Sequence, residues 1–98
     1  MVASIQRKVQ FSGKTDIEIY NAAIQAVPQA GLEVWKTREL ALLILAHGEY
    51  KGEQVHCNIV TSMVDGSTTI TAESGGLDEK ALTLILSRLQ KELIALLA

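Results

Sequence analysis

Apolar and polar residues alternate along five segments of this chain, and in two others the apolar residues recur at helical spacing. In residues 5–11, Ile5, Val9 and Phe11 alternate with polar side chains, which predicts a half-buried strand. The same reasoning predicts four later strands, at Leu32–Trp35, Ala41–Tyr50, Val55–Val64 and Ser67–Ser74.

The two helical segments carry start and stop signals. Thr15 and Glu18 fit a capping box at the start of the first helix, and Gly31 is a plausible terminator shortly after Pro28. Asp78 is a good N-cap for the second helix. The apolar stripe of that helix comprises Leu82, Ile85, Leu86, Leu89, Leu93 and Leu96.

The resulting order is β-α-β-β-β-β-α, which predicts one α+β domain over residues 1–98. Lys51-Gly52 and Asp65-Gly66 are typical of hairpin turns, so the last four strands are expected to form an antiparallel meander. The first strand would lie beside the fifth, giving a five-stranded antiparallel sheet of order 2-3-4-5-1 with both helices on one face.

Counting outward from the two turns assigns side chains to faces. The core face collects Leu42, Ile44, Ala46, Val55, Cys57, Ile59, Met63, Ile70 and Ala72. The opposite face is mostly polar, except that Leu43 is expected to face Val60, with Leu45 next along the strand. Trp35 should join them, since Leu32 and Val34 take the core side, and Ala41 and Val64 would extend the group.

No third layer remains to cover Trp35, Leu43, Leu45 and Val60, which together would expose a few hundred Å². We therefore predict a partner surface, most simply for a homodimer packed sheet against sheet, or otherwise for another protein. Two alternatives stay open: the leucines are tolerated surface residues, or a bulge in the third strand turns them inward.

A second hypothesis is a small domain that binds an apolar ligand between the last helix and the sheet. The cavity would be lined by Ile44, Ile59, Met63, Ile85 and Leu89.

Candidate chemistry is sparse. His47 is expected to face His56 across the first hairpin, about 5 Å apart at Cβ, with Glu73 opposite Asn58. Two imidazoles and a carboxylate are a low-ranking zinc candidate, because nothing supplies a fourth ligand. Cys57 points to the apolar core, so we expect a buried thiol rather than a nucleophile. The sequence predicts no catalytic residues and no cofactor.

Composition and charge limit the kinds of partner and the location expected for this protein. The net charge is −2 and the nine basic residues are scattered, which argues against nucleic-acid binding. No apolar run approaches the roughly 20 residues needed to cross a bilayer. Met1–Lys8 lack the apolar region of a signal peptide, so a cytoplasmic location is expected. An envelope location stays open, since a chain trimmed of its leader would look the same.

Three short motifs carry a resemblance: Gly31-Leu32-Glu33-Val34, Asp65-Gly66-Ser67-Thr68-Thr69-Ile70 and Gly76-Leu77-Asp78-Glu79. Over residues 5–95 the chain resembles a loose group of small bacterial domains of unknown function, many carried by lipoproteins. The resemblance implies the same order of elements and no catalytic residues. This chain lacks the lipid-anchor cysteine. Its topology is also similar to helix-grip, lipid-binding folds, but the chain is short for their usual cavity.

Overall fold

The computed structural model describes residues 3–98 and has the predicted order of elements. Met1 and Val2 lie outside the described residues. They are the first residues of the predicted domain and of the segment Met1–Lys8 that lacks the apolar region of a signal peptide. The elements are β1 (Ala3–Val9), α1 (Asp16–Gln29), β2 (Glu33–Arg38), a 3-10 turn (Glu39–Ala41), β3 (Leu43–Tyr50), β4 (Glu53–Thr61), β5 (Thr68–Ser74) and α2 (Glu79–Leu97). The five strands form one antiparallel sheet in the order β1-β5-β4-β3-β2, which confirms the predicted topology.

The core lies between one face of the sheet and the two helices. Along β4, Val55, Cys57 and Ile59 are buried while the residues between them are exposed. Both helices contribute to the same cluster of buried side chains, α1 mainly through Ile19, Ala23, Ala26 and Val27, and α2 through Leu82, Ile85, Leu86, Leu89, Leu93 and Leu97. The outer face of the sheet, defined as the side opposite the helices, is left without a covering layer of described residues.

Helix α1 begins and ends where its capping signals predict. The Thr15 hydroxyl accepts a hydrogen bond from the Glu18 amide at 3.1 Å and donates to the Glu18 carboxylate. At the other end the Leu32 amide donates to the Val27 carbonyl across Gly31, whose φ is 85°. This is the Schellman motif, in which the residue with positive φ is usually glycine. The helix continues one residue past Pro28.

The β3–β4 hairpin has the predicted register. Lys51 and Gly52 both have positive φ, 52° and 82°, as a tight two-residue turn requires. Leu43 therefore pairs with Val60, and His47 pairs with His56.

The β4–β5 hairpin corrects the predicted register by two residues. Its loop spans residues 62–67, because the Ser62 amide donates to the Ser67 carbonyl at 2.8 Å and Asp65 accepts from both the amide and the hydroxyl of Ser67. Ile59 consequently pairs with Ile70 instead of Ala72. Met63, predicted to lie in the core, sits in this loop and is 64% exposed.

Strand β2 contains a bulge that the sequence did not predict. Val34 pairs with Ala46 and Lys36 pairs with Leu45, so Trp35 is the extra residue between them. Strand β3 starts at Leu43 instead of Ala41. The buried Leu42 before it has a φ of 50°, which places it in the left-handed region.

A buried hydroxyl joins the end of the sheet to α2. The Ser74 hydroxyl donates to the Gln54 carbonyl at 2.6 Å and accepts from the amides of Gly76 and Leu77. The chain then enters α2, whose first turn is capped by Asp78 accepting from the Ala81 amide at 2.9 Å. On the neighbouring edge strand β1, the Arg7 guanidinium donates to Ser87 and Gln90 of α2.

Candidate interaction surface on the outer sheet face

The outer face is organised into three rows of residues that cross all five strands. Consecutive strand pairings define each row. The first row comprises Arg38, Leu43, Val60, Thr69 and Lys8. The middle row comprises Lys36, Leu45, Asn58, Thr71 and Gln6. The third row comprises Glu33, His47, His56, Glu73 and Ser4.

Three of the four predicted interface residues form an apolar patch, defined here as Leu43, Leu45 and Val60. Leu43 pairs directly with Val60 as predicted, and Leu45 lies in the adjacent row opposite Asn58. Val60 is 40% exposed, and both leucines are half-buried. Neighbouring side chains on the sheet therefore shield part of the leucine surface, and the bulge in β2 does not turn the leucines into the core.

Ala41 and Val64 do not extend this patch. Ala41 lies in the 3-10 turn before β3, and Val64 lies in the loop between β4 and β5, where it is 96% exposed. The predicted extension was wrong because both residues were assigned to strands that are shorter in the structure.

Trp35 lies on the outer face, but beside the histidines. The residue is 65% exposed and lines a surface concavity of about 150 Å³ with His47 and His56. The bulge places the indole here, since two consecutive residues of β2 stand against one position of β3. Trp35 thus extends the apolar part of the outer face from the middle row toward the third row.

The third row brings the predicted zinc candidates into closer register than expected. His47 faces His56 as predicted, and Glu73 faces His56 directly instead of Asn58. Glu33 also reaches the row, with its Oε2 3.9 Å from Nε2 of His47. Among residues 3–98 no group of three His, Cys, Asp or Glu side chains has the geometry of a metal site. The third row instead brings together two carboxylates, those of Glu33 and Glu73.

The opposite end of the outer face is basic. Arg38 pairs with Leu43, Lys8 pairs with Thr69, and Lys36 pairs with Leu45 one row inward. The sequence analysis did not predict this polarity, because the positions of the charges along β2 depend on the bulge.

Cys57 takes no part in this surface. It is 1% exposed on the core side, and burial raises the pKa of its thiol to about 12. A thiol in this state is a packing group, in agreement with the expectation from its strand position.

One of the residues predicted to line a cavity between α2 and the sheet does not lie there. Met63 lies in the exposed loop, while Ile44, Ile59 and Leu89 are completely buried. A different apolar concavity, of about 310 Å³, lies at the end of α2 and was not predicted. It is lined mainly by Val9, Phe11, Ile94 and Leu97.

No family model and no curated protein sequence matches this chain. Within residues 3–98, none of the helices is both long enough and apolar enough to span a bilayer.

Proposed function

We propose that this protein is a small assembly module that self-associates through the outer face of its sheet. The observation that carries the proposal is that Trp35 and the apolar patch lie uncovered on that face. Both helices are committed to the core side. A second copy of the same face is the simplest cover, because a two-fold dimer buries the same surface on each partner.

The dimensions of the face are adequate for such a contact. Its strands are six to nine residues long. Strands of this length, spaced about 4.8 Å apart, give a face of about 20 by 25 Å, or about 500 Å² in projection. Side-chain relief increases the accessible area beyond this projection. Specific interfaces begin at about 600 Å² per partner.

The composition of the face matches that of a non-obligate interface. Binding energy in such interfaces concentrates in a few large side chains, tryptophan foremost, surrounded by polar groups that exclude water. Trp35 is the one tryptophan of the chain, and it is 65% exposed. The polar majority of the face, including Asn58 and Thr71, would form the hydrogen-bonding surround.

Light scattering coupled to size exclusion, over a range of protein concentrations, tests the proposal. The native chain should approach twice the monomer mass as concentration rises. Trp35→Asp and Leu43→Asp should each yield a folded monomer, because a buried, unpaired carboxylate opposes the contact. Circular dichroism checks that the variants remain folded.

Leu84→Asp is the matched control. Leu84 is 56% exposed on α2, away from the sheet, so the same change there should leave the dimer intact. A native chain that stays monomeric at every concentration would contradict the proposal. So would a Leu84→Asp variant that loses the dimer as readily as Leu43→Asp.

A further inference from the structure

The outer face separates its charges toward opposite ends of the strands. The first row carries Arg38 and Lys8, and the third row carries Glu33 and Glu73. All four side chains are exposed. Four residues separate Leu43 in the first row from His47 in the third, which is about 13 Å along the strand. This exceeds the screening length of about 8 Å at physiological salt, so the two ends act as separate charged regions.

From this polarity, and building on the self-association proposed above, we infer that two copies pack face to face about a two-fold axis that runs across the strands along the middle row. Rotation about that axis places the first row of each copy over the third row of the other. Arg38 then faces Glu33 of the second copy. Lys8 faces its Ser4, with its Glu73 on the adjacent strand about 4.8 Å away. Each contact occurs twice by symmetry.

The other simple axis, parallel to the strands, is disfavoured by the same charges. It would place each row over its own counterpart with the strand order reversed, so that Arg38 of each copy would face Lys8 of the other. Like charges brought together in this way oppose association, which is how interfaces select one register over another.

The middle row suits a position on the axis. Its central members Leu45, Asn58 and Thr71 carry no charge, so each can face its own symmetry mate without repulsion. Lys36 also lies in this row, but it belongs to edge strand β2, where a long side chain can extend its ammonium group into water. Trp35, between the middle and third rows, would lie over the partner's segment between Lys36 and Arg38, within reach of cation–π contact.

Two variants of the whole chain test this axis. An acidic variant carries Lys8→Glu and Arg38→Glu. An exchanged variant carries these two changes together with Glu33→Lys and Glu73→Lys, which reverses the polarity and keeps the net charge. Under the inferred axis the acidic variant should dimerise roughly tenfold more weakly, or worse, because attractive pairs become repulsive. The exchanged variant should recover the dimer.

Mixing the native and exchanged chains distinguishes the two axes directly. About the inferred axis, a mixed dimer would place like charges over each other, so native mass spectrometry should show two separate homodimers. About an axis parallel to the strands, the mixed dimer would be the favoured species. The sorting should weaken at about 1 M salt, where the screening length falls to about 3 Å.

Lys80→Glu combined with Lys91→Glu is the matched control, since it makes the same change in net charge on α2 and should leave the dimer unaffected. Free mixing of native and exchanged chains, or an acidic variant that dimerises like the native chain, would overturn the inferred axis. The self-association itself would still stand if Leu43→Asp gave a monomer. A native chain that never dimerises would refute the proposed function as well.

Discussion

Leu32 packs directly against the backbone of Gly48. A Cβ built on Gly48 would lie 2.6 Å from Cδ2 of Leu32, closer than non-bonded carbon atoms are found in proteins. Gly48 lies on the core side of β3 opposite Val55, and Leu32 is the residue that leads from α1 into β2. The missing side chain at Gly48 is what allows β2 to enter the sheet beneath the end of α1.

We therefore expect Gly48→Ala to destabilise the fold by about 1–3 kcal/mol, the usual cost of overpacking a core. Urea unfolding measures it. The conflict is with the end of the leucine side chain, so Leu32→Ala should cost less in the Gly48→Ala background than in the native chain. Gly75→Ala is the control, because a Cβ there meets nothing within 4 Å. An equal loss at both glycines would refute the steric explanation.

The β3–β4 turn offers a gain in stability. Lys51 has a φ of 52°, a conformation that asparagine tolerates better than lysine. Its ammonium group lies 5.5 Å from the centre of the Tyr50 ring, a contact worth about 0.5 kcal/mol at an exposed site. Relief of the backbone conformation is worth about 0.5–1 kcal/mol, so Lys51→Asn should stabilise the protein by a few tenths of a kcal/mol.

The same substitution in a Tyr50→Leu background isolates the backbone effect. With the ring already absent, Lys51→Asn should give the larger gain in the free energy of unfolding. If Lys51→Asn destabilised both backgrounds, the positive φ would not be the governing factor.

Asp65 should make the β4–β5 loop sensitive to acid. Hydrogen bonds from the Ser67 amide, and then from its hydroxyl, lower the pKa of this carboxyl below the ordinary value of 3.8. A lowered pKa in the folded state means that the stabilisation is complete above the ordinary value. It is lost as the pH falls through the folded-state pKa.

The difference in unfolding free energy between the native chain and Asp65→Asn should accordingly be constant above about pH 5 and shrink in stronger acid. Ser67→Ala should reduce this pH dependence without abolishing it, since the amide still donates. A difference that grew as the pH fell would contradict the sign of the shift.

Cys57 should resist modification in the native protein. Because burial raises its pKa to about 12 and leaves 1% of the residue exposed, almost no thiolate is available at pH 8. Iodoacetamide should label it only as urea unfolds the chain. A Ser12→Cys variant supplies an exposed thiol as an internal standard, and comparable labelling of both thiols without denaturant would show that the core opens freely.

The strand order and both faces of the sheet were predictable because short-range signals agreed with one another. Lys51-Gly52 set the β3–β4 register correctly, including the pairs of Leu43 with Val60 and His47 with His56. Asp65-Gly66 predicted the wrong β4–β5 register, because Asp65 accepts a hydrogen bond from Ser67 and the loop contains six residues. The error was two residues, an even number, so every strand residue kept its face.

Other features depend on tertiary contacts that no local pattern encodes. The bulge at Trp35 is set by how β2 matches β3, and it decides that the indole stands beside His47 and His56. The left-handed conformation of Leu42 is visible only once its side chain is seen in the core. Ser74 gave no signal in the sequence, since its three hydrogen bonds reach backbone groups on two other segments.

The bulge in β2 also limits how the sheet can grow. β2 is an edge strand, and edges with regular, unpaired backbone groups are templates on which further chains add to form fibrils. A strand arriving along this edge would fall out of step with the hydrogen-bonding positions after Val34 and would meet the positive charges of Lys36 and Arg38. The additional residue at Trp35 thus disfavours amyloid-like addition of strands to the β2 edge.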